Sequence, residues 1–223
     1  MSQSERQCPL CLSTGAALFH TSTQKNLERD YHHCDTCDLV FVPPKFHLDP
    51  DDARERYLTH DNDPDNPDYR RFLSRLWDEL RPRLPQGARG LDYGAGPGPA
   101  LAAMIEEDGH SAALYDPLFH PDDTVLARTY DFITCTETVE HFATPRADFL
   151  RLNELLAPGA YLGIMTDILE DIRKFPDWYY HRDPTHLAFY TRRTLHWIAN
   201  WLGLELEHPR PRVVLLHKRG RGD

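Results

Sequence analysis

A glycine-rich stretch near the middle of the chain places the strongest constraint on its fold. Residues 90–101 read GLDYGAGPGPAL, in which a short strand-like run precedes three glycines and a helix-forming run follows them. Glycines in such a turn let a ligand approach the backbone closely. A strand, a glycine turn and a helix N-terminus in succession are typical of nucleotide sites in α/β folds. The sequence therefore predicts an α/β protein with a nucleotide-like ligand at this turn.

The residues around the turn narrow the choice of ligand. Gly94, Gly96 and Gly98 are spaced Gly-x-Gly-x-Gly, which differs from the dinucleotide pattern Gly-x-Gly-x-x-Gly. Asp92 lies two positions before the first glycine, where a carboxylate would repel a pyrophosphate and attract an ammonium group. These features favour S-adenosylmethionine, which is a cation with an amino-acid tail.

Four segments in order resemble the class I S-adenosylmethionine-dependent methyltransferases, over roughly residues 68–218. They are the Asp-x-Gly-x-Gly-x-Gly motif, a hydrophobic strand that ends at Asp116, a fourth strand with a Glu-x-x-Glu-His ending at residues 130–141, and a helix end, Pro-Gly turn and fifth strand at residues 155–165. The resemblance implies a Rossmann-like sheet with helices on both faces and an antiparallel last strand.

The same resemblance assigns a cofactor site. Asp116 follows Asp92 by 24 residues, where a carboxylate can bind both ribose hydroxyls of the cofactor. The predicted cofactor-binding residues are Asp92, Gly94, Ala95, Gly96, Gly98, Asp116 and Glu137. The chain between Asp116 and the fourth strand is shorter than in fuller members of the class, and residues 124–127 are expected to form a remnant third strand.

Four of the five cysteines form two pairs near the N-terminus. The pairs are two Cys-x-x-Cys motifs, and their members are Cys8, Cys11, Cys34 and Cys37. Four thiolates in this spacing are typical of a closed, structural zinc site in a reducing compartment, and reduced cysteines without metal are the alternative. Strand-like residues 17–23 and 39–42 complete a zinc-ribbon-like module, which could hardly bury a core without the metal. Similar modules occur in some methyltransferases that act on nucleotide sugars.

The chain divides into three predicted parts: a zinc-ribbon-like module over residues 1–45, a linker or cofactor cap over 46–67, and the methyltransferase domain over 68–223. The middle part is rich in proline and acid. Tyr57 in it would cover the cofactor or simply pack on a short helix over residues 51–58. Residues 68–84 have apolar positions at helical spacing and should precede the first strand of the sheet.

Overall charge and hydropathy disfavour several classes of partner, without excluding nucleic acid. A net charge of -10 opposes loose binding to nucleic acid or to an anionic membrane. No apolar run approaches the roughly 20 residues that span a bilayer, and residues 1–6 lack signal-peptide character. We therefore expect a cytoplasmic protein with a small-molecule substrate and no membrane partner, and the sequence leaves the oligomeric state open.

The Glu-x-x-Glu-His segment carries the candidate catalytic groups. Glu137, Glu140 and His141 follow the fourth strand, and His186 lies in a loop just before a helix capped by Thr191. The predicted catalytic residues are His141, His186 and Glu140, with either histidine as general base. The same four acidic and histidine side chains resemble the metal-binding set of small-RNA 2′-O-methyltransferases, so Mg²⁺ or another divalent ion is an alternative.

Three functions remain open from the sequence. The main prediction is methyl transfer from S-adenosylmethionine to a small hydroxylated metabolite or a nucleotide-sugar-like acceptor. The second is metal-dependent RNA 2′-O-methylation through Glu137, Glu140, His141 and His186, which the acidic charge disfavours. The third is a cofactor-binding regulator that has lost transfer activity.

Overall fold

The structure is a computed structural model that describes residues 7–25, 27–59 and 63–220. The remaining positions lie outside the described residues, and they include the start of the first predicted domain (residues 1–6) and the end of the third (residues 221–223). The strands are β1 Ala17–Ser22, β2 Arg29–His33, β3 Val40–Phe41, β4 Arg89–Tyr93, β5 Ser111–Tyr115, β6 Tyr130–Thr136, β7 Leu156–Met165, β8 Ala188–Phe189, β9 Glu205–Arg210 and β10 Val213–His217. The α-helices are α1 Pro50–Tyr57, α2 Pro67–Leu80, α3 Ala100–Glu107, α4 Pro145–Leu155 and α5 Arg192–Leu202. None of the helices in the described ranges is both long and apolar enough to cross a membrane.

The larger sheet confirms the predicted α/β class. Its strand order in the described chain is β5-β4-β6-β7-β10-β9. Strands β5, β4, β6 and β7 are parallel, and β10 runs antiparallel to both β7 and β9. Phe132 packs in one core cluster with residues of α2 and α3, while Ile133 packs in another with residues of α4 and α5. Successive residues of a strand face opposite sides, so helices cover both faces of the sheet.

The helix before the first strand of this sheet is shorter than predicted. α2 begins after Asn66, whose side chain accepts hydrogen bonds from the next turn, and its apolar face is buried. The α-helix ends at Leu80, and residues 81–83 continue as a 3₁₀ helix with Pro82 inside. Proline lacks the N–H that an α-helix needs, which explains the change.

The expected third strand is wrong. Residues 123–127 form a 3₁₀ helix, which Asp122 begins by accepting a hydrogen bond from the Thr124 amide. Val125 is buried, and its carbonyl accepts a hydrogen bond from the Tyr130 hydroxyl at 2.7 Å. A parallel strand needs a crossover of about a dozen residues or more, and the short segment between β5 and β6 has no room for two. β5 is therefore the edge of the sheet.

The Pro-Gly pair at 158–159 lies inside β7, although the sequence predicts it as a turn between a helix and a strand. α4 ends at Leu155 and β7 begins at the next residue. Pairing with β6 shifts between Tyr130, which lies opposite Leu156, and Phe132, which lies opposite Tyr161. The pair thus lies in a bulge inside β7, where Gly159 adopts a φ of 82°.

The smaller sheet joins three strands of the N-terminal segment to a short strand near residue 188. Its order is β1-β2-β3-β8, and all of its pairs are antiparallel. β1, β2 and β3 belong to the predicted zinc-ribbon module, whereas β8 follows the loop that carries His186. The buried residues Leu10 and Leu39 of the module lie in the same hydrophobic cluster as Leu91 of β4. The module therefore packs into the core of the larger sheet.

Candidate active site

A cavity of about 940 Å³ lies at the carboxyl ends of β4, β5 and β6. This is the edge where ligands bind in open α/β sheets. The predicted site residues that line it are Asp92, Gly94, Ala95, Gly96, Gly98, Asp116, Glu137, His141 and His186. The sequence therefore predicted residues that the fold brings together around one cavity.

The glycine turn is closed by backbone hydrogen bonds to β5. The amides of Gly94 and Ala95 both donate to the carbonyl of Tyr115, at 2.7 Å and 3.2 Å. Gly94 has a φ of 82°, and a Cβ added to it would lie 2.3 Å from Thr138. Both the backbone angle and the close neighbour require glycine at this position.

Two carboxylates flank the glycine turn inside the protein. Asp92 is 2 % exposed and accepts a 2.8 Å hydrogen bond from the Thr134 hydroxyl. Burial raises the pKa of Asp92 to about 6. Asp116 accepts hydrogen bonds from the amides of Gly96, Leu118 and Phe119 at 2.8–3.1 Å. Negative charge in a buried setting favours a cationic ligand.

Glu137 forms an ion pair with Arg212 that the sequence did not suggest. Its carboxylate accepts two hydrogen bonds from Arg212, at 2.8 Å and 2.9 Å, and its backbone has a φ of 48°. Burial and the nearby Glu140 carboxyl raise the pKa of Glu137, and the Arg212 guanidinium opposes that rise. The cluster of possible metal ligands at the site consists of Glu140, His141 and His186, without Glu137.

Glu140 is fully buried behind the cavity wall. Its carboxylate accepts a 2.9 Å hydrogen bond from Thr166 and another from the Tyr180 hydroxyl. Burial raises the pKa of Glu140 to about 7 against the effect of these donors. Tyr180 itself lines the cavity. The predicted catalytic role of Glu140 stays a prediction. Tyr180 connects Glu140 with the cavity, because its hydroxyl donates to the Glu140 carboxylate.

The two histidines form a close pair, with ring centroids 4.8 Å apart. His141 places its Nδ1 3.0 Å from the carbonyl of Thr185, and His186 places its Nδ1 2.7 Å from the carbonyl of Tyr180. A carbonyl oxygen only accepts, so each Nδ1 carries a proton and each Nε2 carries the lone pair. Burial lowers the pKa of His141, and burial together with His141 lowers that of His186 to about 3. Both rings are therefore neutral at pH 7.

Helix α1 lies against this histidine pair. The ring of Tyr57 meets that of His141 edge to face at 5.1 Å. Arg56 donates to the carboxylate of Asp183 at 2.7 Å, which ties the helix to the loop that carries His186. Tyr57 also lines the cavity. Its ring thus covers the histidine end of the site, and its predicted role over the cofactor stays a prediction.

The comparisons with known proteins decide the family. Residues 66–208 match a family model described as a methyltransferase domain. The chain belongs to this methyltransferase family. A search of curated proteins found no match.

Solved structures of other methyltransferases share the fold. An S-adenosylmethionine-dependent methyltransferase from Archaeoglobus fulgidus is 17% identical, with a TM-score of 0.51 over 67% of this chain and 94% of that one. An O-methyltransferase family protein from Burkholderia thailandensis is 15% identical, with a TM-score of 0.46 over 70% of this chain and 60% of that one. At 17% identity the likeness to the Archaeoglobus protein extends to the fold and not to the acceptor.

The methyltransferase also brings its four N-terminal cysteines together. The Sγ atoms of Cys8 and Cys37 are 3.5 Å apart, those of Cys11 and Cys34 are 3.4 Å apart, and all four lie within 4.8 Å of one another. Tetrahedral zinc with bonds of about 2.3 Å needs sulfur atoms about 3.8 Å apart. The cluster fits a zinc ion in both donor type and spacing.

Several residues of the methyltransferase site had no usable signal in the sequence. Arg212 reaches Glu137 from the turn just before β10, 75 residues away. Tyr69 and Phe72 line the cavity from α2, where helical spacing indicates only a packed face. Their roles depend on tertiary contacts, which residue spacing alone does not encode.

Proposed function

We propose that this methyltransferase transfers the methyl group of S-adenosylmethionine to a small hydroxylated metabolite or a nucleotide-sugar-like acceptor. One observation carries the proposal: the same cavity is lined by a glycine turn, by two buried carboxylates and by two histidines whose Nε2 atoms carry lone pairs. The first two suit a cationic cofactor, and the histidines suit an acceptor that must lose a proton.

The residues around the glycine turn fit the cofactor in charge and shape. Gly94 and Gly96 have φ angles of 82° and 64°, which keep the backbone open to close approach. Asp92 would attract the ammonium end of the cofactor, and Asp116 would bind its ribose hydroxyls. Bound there, S-adenosylmethionine would supply an electrophilic methyl group on a positively charged sulfur.

The histidine pair provides the base in this proposal. The lone pairs on Nε2 of His141 and His186 follow from the carbonyl partners of each Nδ1. One of these Nε2 atoms would accept the proton that the acceptor hydroxyl loses during methyl transfer. Glu140 would act through Tyr180, whose hydroxyl it holds. The cavity walls would supply proximity and orientation.

Zinc at the four cysteines is the structural part of the proposal. The spacing of the Sγ atoms supports it, and a reducing cytoplasm would keep the thiolates available. The ion would hold the two Cys-x-x-Cys turns together and would take no part in methyl transfer.

A second candidate is metal-dependent RNA 2′-O-methylation. Glu140, His141 and His186 can bring ligand atoms within 4.8 Å of one another, which favours a bound ion. Two imidazoles and one carboxylate suit zinc or ferrous iron better than Mg²⁺. The pairing of Glu137 with Arg212 removes one of the four predicted ligands. The net charge of -10 also opposes a polyanionic substrate.

Radiolabelled methyl transfer in a cell lysate tests the proposal. Purified protein and methyl-labelled S-adenosylmethionine are added to lysate of cells that lack the protein, and the products are separated into RNA, protein and small molecules. Parallel samples contain a chelator at a concentration that leaves zinc on the four cysteines, as verified by metal analysis of the recovered protein.

Label in small molecules that survives chelation is the expected result. Label in RNA that disappears with chelation would replace the proposal with the second candidate. Cofactor binding by calorimetry without label in any fraction would favour a cofactor-binding regulator.

A further inference from the structure

The loop that carries His186 is held by an arginine from the N-terminal module. Arg29 lies in β2 and is only 3 % exposed. Its guanidinium donates to the carbonyl oxygens of His181, Asp183 and Pro184 at 2.8–2.9 Å. Its Nε donates to the hydroxyl of Tyr31 at 2.8 Å, and that hydroxyl donates in turn to the carbonyl of His181 at 2.9 Å. One side chain thus organises the backbone of residues 181–184.

The carbonyls on either side of this segment set the two histidine rings. Tyr180 precedes it, and its carbonyl accepts from Nδ1 of His186. Thr185 follows it, and its carbonyl accepts from Nδ1 of His141. The backbone that Arg29 fixes is therefore the backbone that decides which nitrogen of each ring keeps its proton.

The module meets the same loop along a β ladder. The amide of Val42, just after β3, donates to the carbonyl of Leu187 at 2.8 Å, and the amide of Leu187 donates to the carbonyl of Glu140 at 2.7 Å. β3 then pairs with β8. Hydrogen bonds thus run without a break from the module, through the His186 loop, to the Glu-x-x-Glu-His segment.

The chemistry of Arg29 argues against a role in packing alone. Its hydrogen-bond partners are neutral carbonyl and hydroxyl oxygens. Burying a charged group is unfavourable, and an apolar side chain of similar size would avoid that cost. The fork of the guanidinium does what an apolar side chain cannot: it fixes three carbonyl oxygens in one arrangement.

We propose that Arg29 is a positioning residue for the histidine pair, and that the four-cysteine module serves methyl transfer by presenting Arg29 and β3 to the His186 loop. The role of the histidines rests on the proposed function, whereas the placement of their rings does not. The hydrogen bonds of Arg29 to this loop go to backbone carbonyls of residues 181, 183 and 184, so its proposed effect on the rings passes through the backbone of residues 180–185.

Histidine tautomers provide a test that needs no acceptor. Long-range ¹H–¹⁵N spectra distinguish a protonated Nδ1 from a protonated Nε2 in each ring. The zinc-loaded wild type is expected to show protonated Nδ1 in His141 and His186. Arg29→Met is expected to give mixed tautomers at both rings, with an affinity for S-adenosylmethionine within about twofold of wild type, because the glycine turn is untouched.

Two further variants make the outcome decisive. Arg193→Met removes another arginine that donates to module carbonyls, those of Asp35 and Thr36, but it lies away from the His186 loop and should leave the spectra unchanged. Tyr31→Phe removes only a hydroxyl, so it reports on the same backbone if Arg29→Met fails to fold.

Removal of zinc from the wild type is expected to change the spectra in the same direction as Arg29→Met. Wild-type tautomers in a folded Arg29→Met or Tyr31→Phe protein, or in the zinc-free protein, would overturn the proposal. Altered tautomers would support it even if the labelling assay found no product, so the two proposals fail independently.

Discussion

Two regions of the cavity are built in opposite ways. The backbone of the cofactor region, residues 89–119, is closed by hydrogen bonds within that segment, such as the Gly96 amide on Asp116 at a separation of 20 residues, and Thr134 and Thr138 contact it from β6 and the loop after it. The histidine region, residues 137–141 and 176–190, is held by contacts between distant segments. His141 meets Thr185 across 44 residues, and Arg29 meets Pro184 across 155.

This difference teaches where each part of the site can be disturbed. The cofactor region depends on its own backbone and on Thr134 and Thr138, so changes at these positions or within a few residues of the glycine turn should damage it, whereas changes in the N-terminal module should not. The histidine region depends on three separate segments, so changes far from it in sequence should reach it. Variants that affect one region and spare the other can test this contrast.

Replacement of His141 should give the largest effect and sharpen the contrast, because the pKa of His186, about 3, makes His186 the weaker base of the pair. His141→Asn removes the Nε2 lone pair, so the turnover number for methyl transfer should fall by about 100- to 10,000-fold. The affinity for S-adenosylmethionine, measured by calorimetry, should stay within about twofold. His196 is exposed on α5, and His196→Asn is the matched control, which should keep full activity. A parallel loss of cofactor affinity in His141→Asn would show that the two regions are not separable.

Replacement of Gly94 should damage the cofactor region from within. In Gly94→Ala the Cβ would lie 2.3 Å from Thr138 at a φ of 82°. Backbone strain and overlap together should lower the free energy of unfolding by about 3 kcal/mol and weaken cofactor binding by about 100-fold. Chemical denaturation and calorimetry measure the two effects.

Gly109 is the control for backbone strain alone. It has a similar φ of 81°, but a Cβ there would meet no atom within 4 Å. Gly109→Ala should therefore cost only about 1 kcal/mol of stability and leave cofactor binding intact. Equal losses in the two variants would mean that the contact with Thr138 is unimportant.

The pH dependence of cofactor binding should show the smallest effect. Burial raises the pKa of Asp92 to about 6, so the carboxylate takes up a proton as the pH falls through that value. A cationic cofactor prefers the ionised form, so its affinity should fall by up to about tenfold per pH unit below 6. Calorimetry between pH 5 and pH 8 measures it, and Asp92→Asn should flatten the profile. Asp122→Asn, at an exposed position, should not.

The same carboxylate should have the opposite pH effect on the stability of the cofactor-free protein. Because the pKa of Asp92 in the folded protein is above that in the unfolded chain, its contribution favours folding at low pH and is lost as the pH rises through about 6. Asp92→Asn should therefore stabilise the cofactor-free protein at pH 8 by about 2 kcal/mol. A loss of stability instead would mean that the hydrogen bond from Thr134 outweighs burial.

The two regions also differ in how far the sequence predicted them. The turn at Gly94, the acid at Asp116 and the helix from Ala100 to Glu107 follow from local spacing, and the structure places them as expected. Glu137 was expected beside the other possible metal ligands, but Arg212 pairs with it from 75 residues away. The two-residue strand β8 and its pairing with β3 were not predicted, because a strand so short has no periodic pattern of its own.

The late position of β8 in the sequence affects folding during synthesis. During synthesis the four cysteines and Arg29 emerge from the ribosome long before residues 181–189. The N-terminal sheet therefore lacks its last strand while most of the protein is still being synthesised. Until then Arg29 cannot form its hydrogen bonds to the three loop carbonyls, and the edge of β3 that pairs with β8 stays unpaired. Fragments that stop before β8 will therefore expose a strand edge that invites aggregation, and expression of the N-terminal part should extend beyond residue 190.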